Sequence, residues 1–227
     1  MIKAGRRLLV HGIKTARSRL RLAIGRQPLS VFWGHDRGLP ICRYYTEQFL
    51  QEHSADIRGH CLEFGADWYT TGFGESAVTK VDILHIDDSN TLATLVADLT
   101  KPNDIPSDRF DCVICTFVLH VIAELERAVS ELHRILKPGG VLLVAAPHIS
   151  MCDERYHELW RFTPEGLRVL LAGVFGPQNV DIRAYGNSLT AAGQIRGLVH
   201  DEFSRAELDD YDQRFAVIVC ARAVKGA

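Results

Sequence analysis

Acidic residues recur at the ends of apolar runs in the first half of this sequence. Glu63 and Gly65 close GHCLEFG (59–65), Asp87 with Asp88 beside it closes KVDILHID (80–87), and Asp98 ends TLVADL (94–99). His120 follows FDCVICTFV (110–118), and His148 follows GVLLVAAP (140–147). An ionised carboxylate is acceptor-only with two oxygens, so an Asp at the end of the second run suits both hydroxyls of a ribose. One at Asp98 suits the exocyclic amine of adenine. Gly65 allows backbone to approach a ligand closely. Taken singly, an Asp after a strand is commonly a turn residue or a helix cap. Together, in this order and at these spacings, they are much more informative than any one alone.

Such residues need strands that end on one side of a sheet. The apolar runs alternate with helical patterns, which implies a mainly parallel sheet with helices on both faces. In AELERAVSELHRIL (123–136), Leu125, Val129, Leu132, Ile135 and Leu136 have the spacing of an amphipathic helix, and KPGG (137–140) stops it. Thr163-Pro164 reads as an N-cap and first helical residue for EGLRVLLAGVF (165–175). VDIRAYG (180–186) and FAVIVCARAV (215–224) read as two more strands, with a mostly helical stretch over about 188–210 between them. Cys112 and Cys115 form a C-x-x-C, but alternation along a strand sends side chains three apart to opposite faces. Without a second Cys/His pair they read as two buried structural thiols, and the chain calls for no metal.

The strand-plus-loop LEFG, the acidic HIDD, the ADL, and FDCVICTFVLHVI followed by LKPGGVLLVAAP resemble the class I S-adenosylmethionine-dependent methyltransferases, of the type 11-like kind. The resemblance covers roughly residues 40–224. It implies an α/β Rossmann-like fold, a mainly parallel seven-stranded sheet whose last strand is antiparallel, and S-adenosylmethionine as cofactor. Glu63, Gly65, Asp67, Asp87, Asp88 and Asp98 would bind that cofactor. The departure lies after Gly65, where Asp67, Trp68 and Tyr69 stand in place of further glycines. S-adenosylmethionine carries no pyrophosphate, so the need for bare backbone is softer than for a dinucleotide. Asp67 could meet the ammonium or sulfonium charge, and Trp68 or Tyr69 could add cation–π attraction. For an oxygen acceptor, His120 and His148 are the candidate general bases. YHELWRFTPEGLRVLL (156–171) resembles a segment of members that methylate glycans or small molecules, and points to Tyr156, His157 and Arg161 as acceptor contacts. Trp160 and Phe162 read equally well as anchors for the following helix.

The whole-chain composition is that of a globular protein, 47% hydrophobic and 24% charged, with a net charge of −2 that speaks against a nucleic-acid binder. Charge is unevenly spread. Residues 1–35 hold eight Lys or Arg and no acid, leaving 18 basic and 28 acidic residues behind them. We therefore divide the chain into a basic amphipathic arm (1–35) and a methyltransferase-like domain (36–227). The apolar and cationic residues of 1–26 suit an anionic membrane surface or a protein partner. A cytoplasmic location, peripheral at the inner membrane surface, is the corresponding expectation. Two rival readings differ from methyl transfer: a noncatalytic methyltransferase-like binding module, and an NAD-dependent oxidoreductase. Against the second, the first turn lacks G-x-G-x-x-G.

Overall fold

The strand-forming runs are short, apolar and rich in β-branched or cysteine side chains, and they assemble into one sheet. The computed structural model describes residues 25–226 and, before them, Ala16 and Leu20. Most of the basic arm therefore lies outside the described residues. The strands are β1 Gly59–Phe64, β2 Val78–His85, β3 Leu95–Val96, β4 Phe110–Thr116, β5 Leu136–Pro147, β6 Val180–Tyr185 and β7 Ile218–Val224. Their order is β3-β2-β1-β4-β5-β7-β6. β1 pairs in parallel with β2 and β4, β2 with β3, and β4 with β5, whereas β7 is antiparallel to β5. The seven-stranded, mainly parallel sheet with an antiparallel last strand is thus as expected.

The helices are α1 Ile41–Glu52, α2 Trp68–Gly74, α3 Leu125–Ile135, α4 Pro164–Phe175, α5 Ser188–Arg196 and the single turn α6 Arg205–Leu208. α3 starts two residues later than its periodicity suggests. Lys137-Pro138-Gly139-Gly140 is not a loop but the opening of β5, with a register slip between the Phe110 and Cys112 pairings. The expected strand ends also recede: β2 stops at His85, β3 is two residues long, and β4 stops at Thr116. Asp87 and Asp98 consequently sit on loops just past their strands. α4 begins as read, with Thr163 Oγ1 accepting from Gly166 N at 3.0 Å and Pro164 inside the first turn.

Two units can be distinguished. The described part of the larger comprises 46–148, 153–184 and 218–226. Its core joins Leu62, Leu84, Val113, Cys115, Leu142 and Val144 of the strands to Val129, Leu132 and Ile135 of α3 and Leu167, Leu171 and Phe175 of α4. Cys61, Cys112, Ile114, Leu143 and Cys220 are fully buried as well. Cys112 and Cys115 are both reduced and buried, so the C-x-x-C is structural. Burial pushes the Cys115 thiol up to about 12. The described part of the smaller unit is 25–45 with Ala16 and Leu20, 149–152 and 185–217. There Asn187 caps α5 through Leu189 N and Thr190 N, and its amide donates to Glu207 O and Asp210 O. Tyr45, Tyr185 and Tyr211 pack together beside it.

Candidate active site

Parallel strands ending on one edge bring the loops after β1, β2, β3 and β4 to the same side. In the order β3-β2-β1-β4-β5 the connections diverge between β1 and β4, and ligands of open α/β sheets bind at that switch point.

The loop after β1 is built around Glu63. This side chain is 3% exposed, and both its oxygens are engaged by α2. Oε1 accepts from Tyr69 N at 3.1 Å, and Oε2 accepts from Thr70 N and Thr70 Oγ1, each at 2.7 Å. Burial raises the Glu63 pKa, and the three donors pull the other way. Glu63 therefore acts on the site by fixing the loop, and its oxygens are not presented to a ligand. The segment that lacks the expected glycines is a short helix whose buried first-turn amide groups, which have no partner within the helix, are satisfied by this carboxylate. Gly65 has φ +77°, and a Cβ there would meet nothing within 4 Å, so glycine is required by the backbone turn beside open space. Asp67 precedes α2 without capping it by its side chain, Trp68 is 70% exposed, and Tyr69 is buried beside Phe73.

Asp87 follows β2 with its side chain turned to solvent. Its Oδ1 accepts from Ser89 N at 3.0 Å and Ser89 Oγ at 2.5 Å, while Oδ2 has no partner among the described residues. The bonds from Ser89 hold its carboxyl below the usual range, so it is ionised at neutral pH. Asp88 is exposed and makes no hydrogen bond among the described residues. Asn90 was not singled out from the sequence, yet its amide donates to Gly65 O at 2.7 Å and joins the β1 and β2 loops. Asp98 accepts from Thr100 N at 2.9 Å and Thr100 Oγ1 at 2.7 Å, and pairs with Lys101 at 2.9 Å. Thr100 and Lys101 hold its pKa at about 2. It lines a cleft of about 370 Å³ with Leu95, Val96, Ala97 and Ile105.

Beyond β4, a 3₁₀ turn (Leu119–Val121) carries His120. Its carbonyl accepts from Leu159 N at 2.8 Å and Trp160 N at 3.0 Å, and Trp160 Nε1 donates to Ile122 O at 2.7 Å. The 153–162 segment is therefore tied to this turn, and Trp160 is an anchor. His120 is buried, its Nδ1 has no partner among the described residues, and burial lowers its pKa, so the ring is neutral. Arg161 is ion-paired with Glu158, whose side chain is buried. Tyr156 is exposed beneath the Arg155 guanidinium, and His157 holds a left-handed backbone at φ +48°. His148 lies at the end of β5, and its Nδ1 donates to Phe162 O at 2.8 Å. A carbonyl can only accept, so Nδ1 carries the proton of this bond, and in the neutral ring Nε2 is then the acceptor. The structure thus joins Gly65, Asn90 and the loop of Asp87, and separately His120, Glu158 and Arg161. No group of three metal-ligating side chains occurs among the described residues.

Residues 60–144 match the family described as methyltransferase domain. A SAM-dependent methyltransferase from Archaeoglobus fulgidus has a similar fold, with a TM-score of 0.54 at 12% identity over 81% of this chain and 94% of that one. The [4+2]-cyclase SpnF has a TM-score of 0.53 at 14% identity, covering 96% and 95%. Locally, 39 residues are 46% identical to the ubiquinone/menaquinone biosynthesis C-methyltransferase UbiE of Citrobacter koseri, which is 17% of this chain and 16% of that one. The chain spans between 2% and 16% of the length of the curated relatives it matches. The matched domain lies within the sheet, and the sheet order together with these structures shows a Rossmann-like methyltransferase fold.

Proposed function

We propose that this chain transfers a methyl group from S-adenosylmethionine to an oxygen of a small-molecule or saccharide acceptor. The observation that carries the reading is the row of groups along the strand ends: Asp98 after β3, Asp87 after β2 with an unpartnered, ionised Oδ2, and the open turn at Gly65 after β1. Asp87 Oδ2 would accept from the ribose hydroxyls and Asp98 from the adenine amine. Asp67 and Asp88 border the same loops. The cofactor supplies an electrophilic methyl on a sulfonium, so the protein's part is to align the acceptor and keep water away. His148 Nε2 is an acceptor held in one tautomer, which suits removal of a hydroxyl proton. His120 is neutral but buried, and serves better as a wall of the site. Tyr156 and His157 would meet the acceptor, while Arg161 stiffens that wall through Glu158. The amphipathic arm, in our reading, holds the protein at an anionic membrane surface.

Calorimetric titration with S-adenosylhomocysteine, with NAD as control, tests this reading. Binding of the former alone is expected, and Asp87→Ala should weaken it by about 1–3 kcal/mol, the range for a charge-assisted hydrogen bond. Unchanged affinity in the folded variant removes Asp87 from the site. The replacement of loop glycines by Trp68 and Tyr69 favours a second reading, a noncatalytic module, which absence of binding by the folded chain would select.

A further inference from the structure

Asp87 stands on a loop with its side chain 60% exposed, yet one of its two oxygens is held by three donors. Oδ1 is bonded by Ser89 N at 3.0 Å, by Ser89 Oγ at 2.5 Å and by His85 Nδ1 at 3.1 Å. His85 Nδ1 also lies 3.1 Å from Asp87 O, whereas Asp87 N is farther off at 3.5 Å. Both of the nearer atoms are oxygens that only accept, so Nδ1 carries a hydrogen. A carboxylate has about four acceptor sites over its two oxygens, so three donors fill Oδ1 and direct any further donor to Oδ2.

The two partners differ in what they are fixed to. Ser89 belongs to the same exposed loop, and its bonds are the local turn an Asp makes with the residue two positions on. That turn moves as a unit. His85 is the last residue of β2, is paired with Val96 of β3, and accepts from Ala97 N through its carbonyl at 3.0 Å. Its bond therefore couples the carboxylate to backbone held in the sheet. Beyond Asp87, the amide of Asn90 donates to Gly65 O at 2.7 Å. The loop is thus fastened at both ends, by His85 before the carboxylate and by Asn90 after it.

We infer that His85 is a positioning residue for the cofactor: by tying Asp87 Oδ1 to the sheet it presents Oδ2 to the ribose before the ligand arrives. The inference rests on the cofactor reading above. His85 need not touch the ligand to have this effect. Without its bond, the exposed carboxylate would be ordered against the sheet only on binding, and that ordering would weaken the ligand by about two- to tenfold. Nδ1 is attached to Cγ, as is the amide nitrogen of an Asn side chain, so an Asn at this position can offer a donor from the same place.

The test is the affinity of the full chain for S-adenosylhomocysteine, measured for wild type, His85→Ala, His85→Asn, Asp87→Ala and the variant carrying both alanines, each with its urea midpoint. His85→Ala should weaken binding by about two- to tenfold. His85→Asn should restore most of that loss. With the carboxylate gone, His85 has nothing to position, so the double variant should bind as Asp87→Ala does. A general structural role would instead weaken binding by the same factor with or without Asp87. That result overturns the inference and leaves the cofactor site standing, as does undiminished affinity in His85→Ala. If His85→Ala does not fold, His85→Phe, which keeps a ring and lacks the donor, takes its place with the same two outcomes. Binding that survives Asp87→Ala unchanged removes Asp87 from the site and this role of His85 with it. Failure of the folded wild-type chain to bind overturns the cofactor reading itself, and the inference falls with it.

Discussion

Both oxygens of Glu63 are taken up by the start of α2, so this residue governs the cofactor loop through the backbone it holds. Glu63→Ala would leave Tyr69 N, Thr70 N and the Thr70 hydroxyl buried without their acceptor. Stability should fall by about 1–3 kcal/mol in urea unfolding, and S-adenosylhomocysteine affinity should fall with it. Glu63→Gln, which keeps one acceptor oxygen, should lie between. An unchanged urea midpoint in Glu63→Ala would refute this account of the loop. At this scale the acidic residues were legible because a carboxylate closing an apolar run is visible in one dimension. Asn90 was not, since its partner Gly65 O lies 25 residues away in sequence.

At the scale of elements, Asp82 fastens the sheet at a point remote from its carboxyl edge. It is a buried carboxylate in β2, bonded by His60 of β1 at 2.8 Å, Thr94 Oγ1 at 3.0 Å and Arg109 at 2.5 Å. Burial alone would raise its pKa, but these bonds together outweigh it and hold the carboxyl below its ordinary value. A depressed folded-state pKa stabilises above the unfolded value, and that contribution disappears as pH falls through the folded value. Urea unfolding should therefore show stability falling below about pH 4, and Asp82→Asn should reduce that slope. An identical slope in the variant would assign the acid sensitivity to other carboxylates. The helices differ in how far sequence foretold them. α3 announces itself by its apolar stripe and α4 by Thr163-Pro164. α2 does not, because WYTTGFG has little intrinsic helix preference and forms where Glu63 supplies the acceptor.

For the whole molecule, the uneven charge is the feature a partner would meet first. In the sequence, Leu9, Ile13, Ala16, Leu20 and Ile24 recur at spacings of three and four, flanked by Lys3, Arg7, Lys14, Arg17 and Arg21. Ala16 and Leu20 are helical and exposed. We propose that this stripe lies on anionic lipid, since an apolar face beside cations suits a bilayer surface. The intact chain should sediment with vesicles containing anionic lipid and much less with neutral ones. Replacing Lys14, Arg17 and Arg21 by Gln should remove about 3 kcal/mol of that binding, roughly 1 kcal/mol for each cation. Sedimentation that ignores vesicle charge and these replacements would refute lipid docking. No described helix is long and apolar enough to cross a membrane.

By itself the sequence determined the α/β class, the α3 and α4 helices and the row of acids at or just past the ends of β1, β2 and β3, whereas the antiparallel last strand followed only from the family resemblance. Each of the former is a local pattern: periodicity, a cap, or a charge at the end of an apolar run. Tertiary structure alone decided which of those groups remain available. It enclosed Glu63 beneath α2, left Asp87 Oδ2 unpartnered and fixed the proton of His148 through Phe162 O. Hydrogen bonds between residues far apart in sequence decide these outcomes, and composition and spacing carry no record of them.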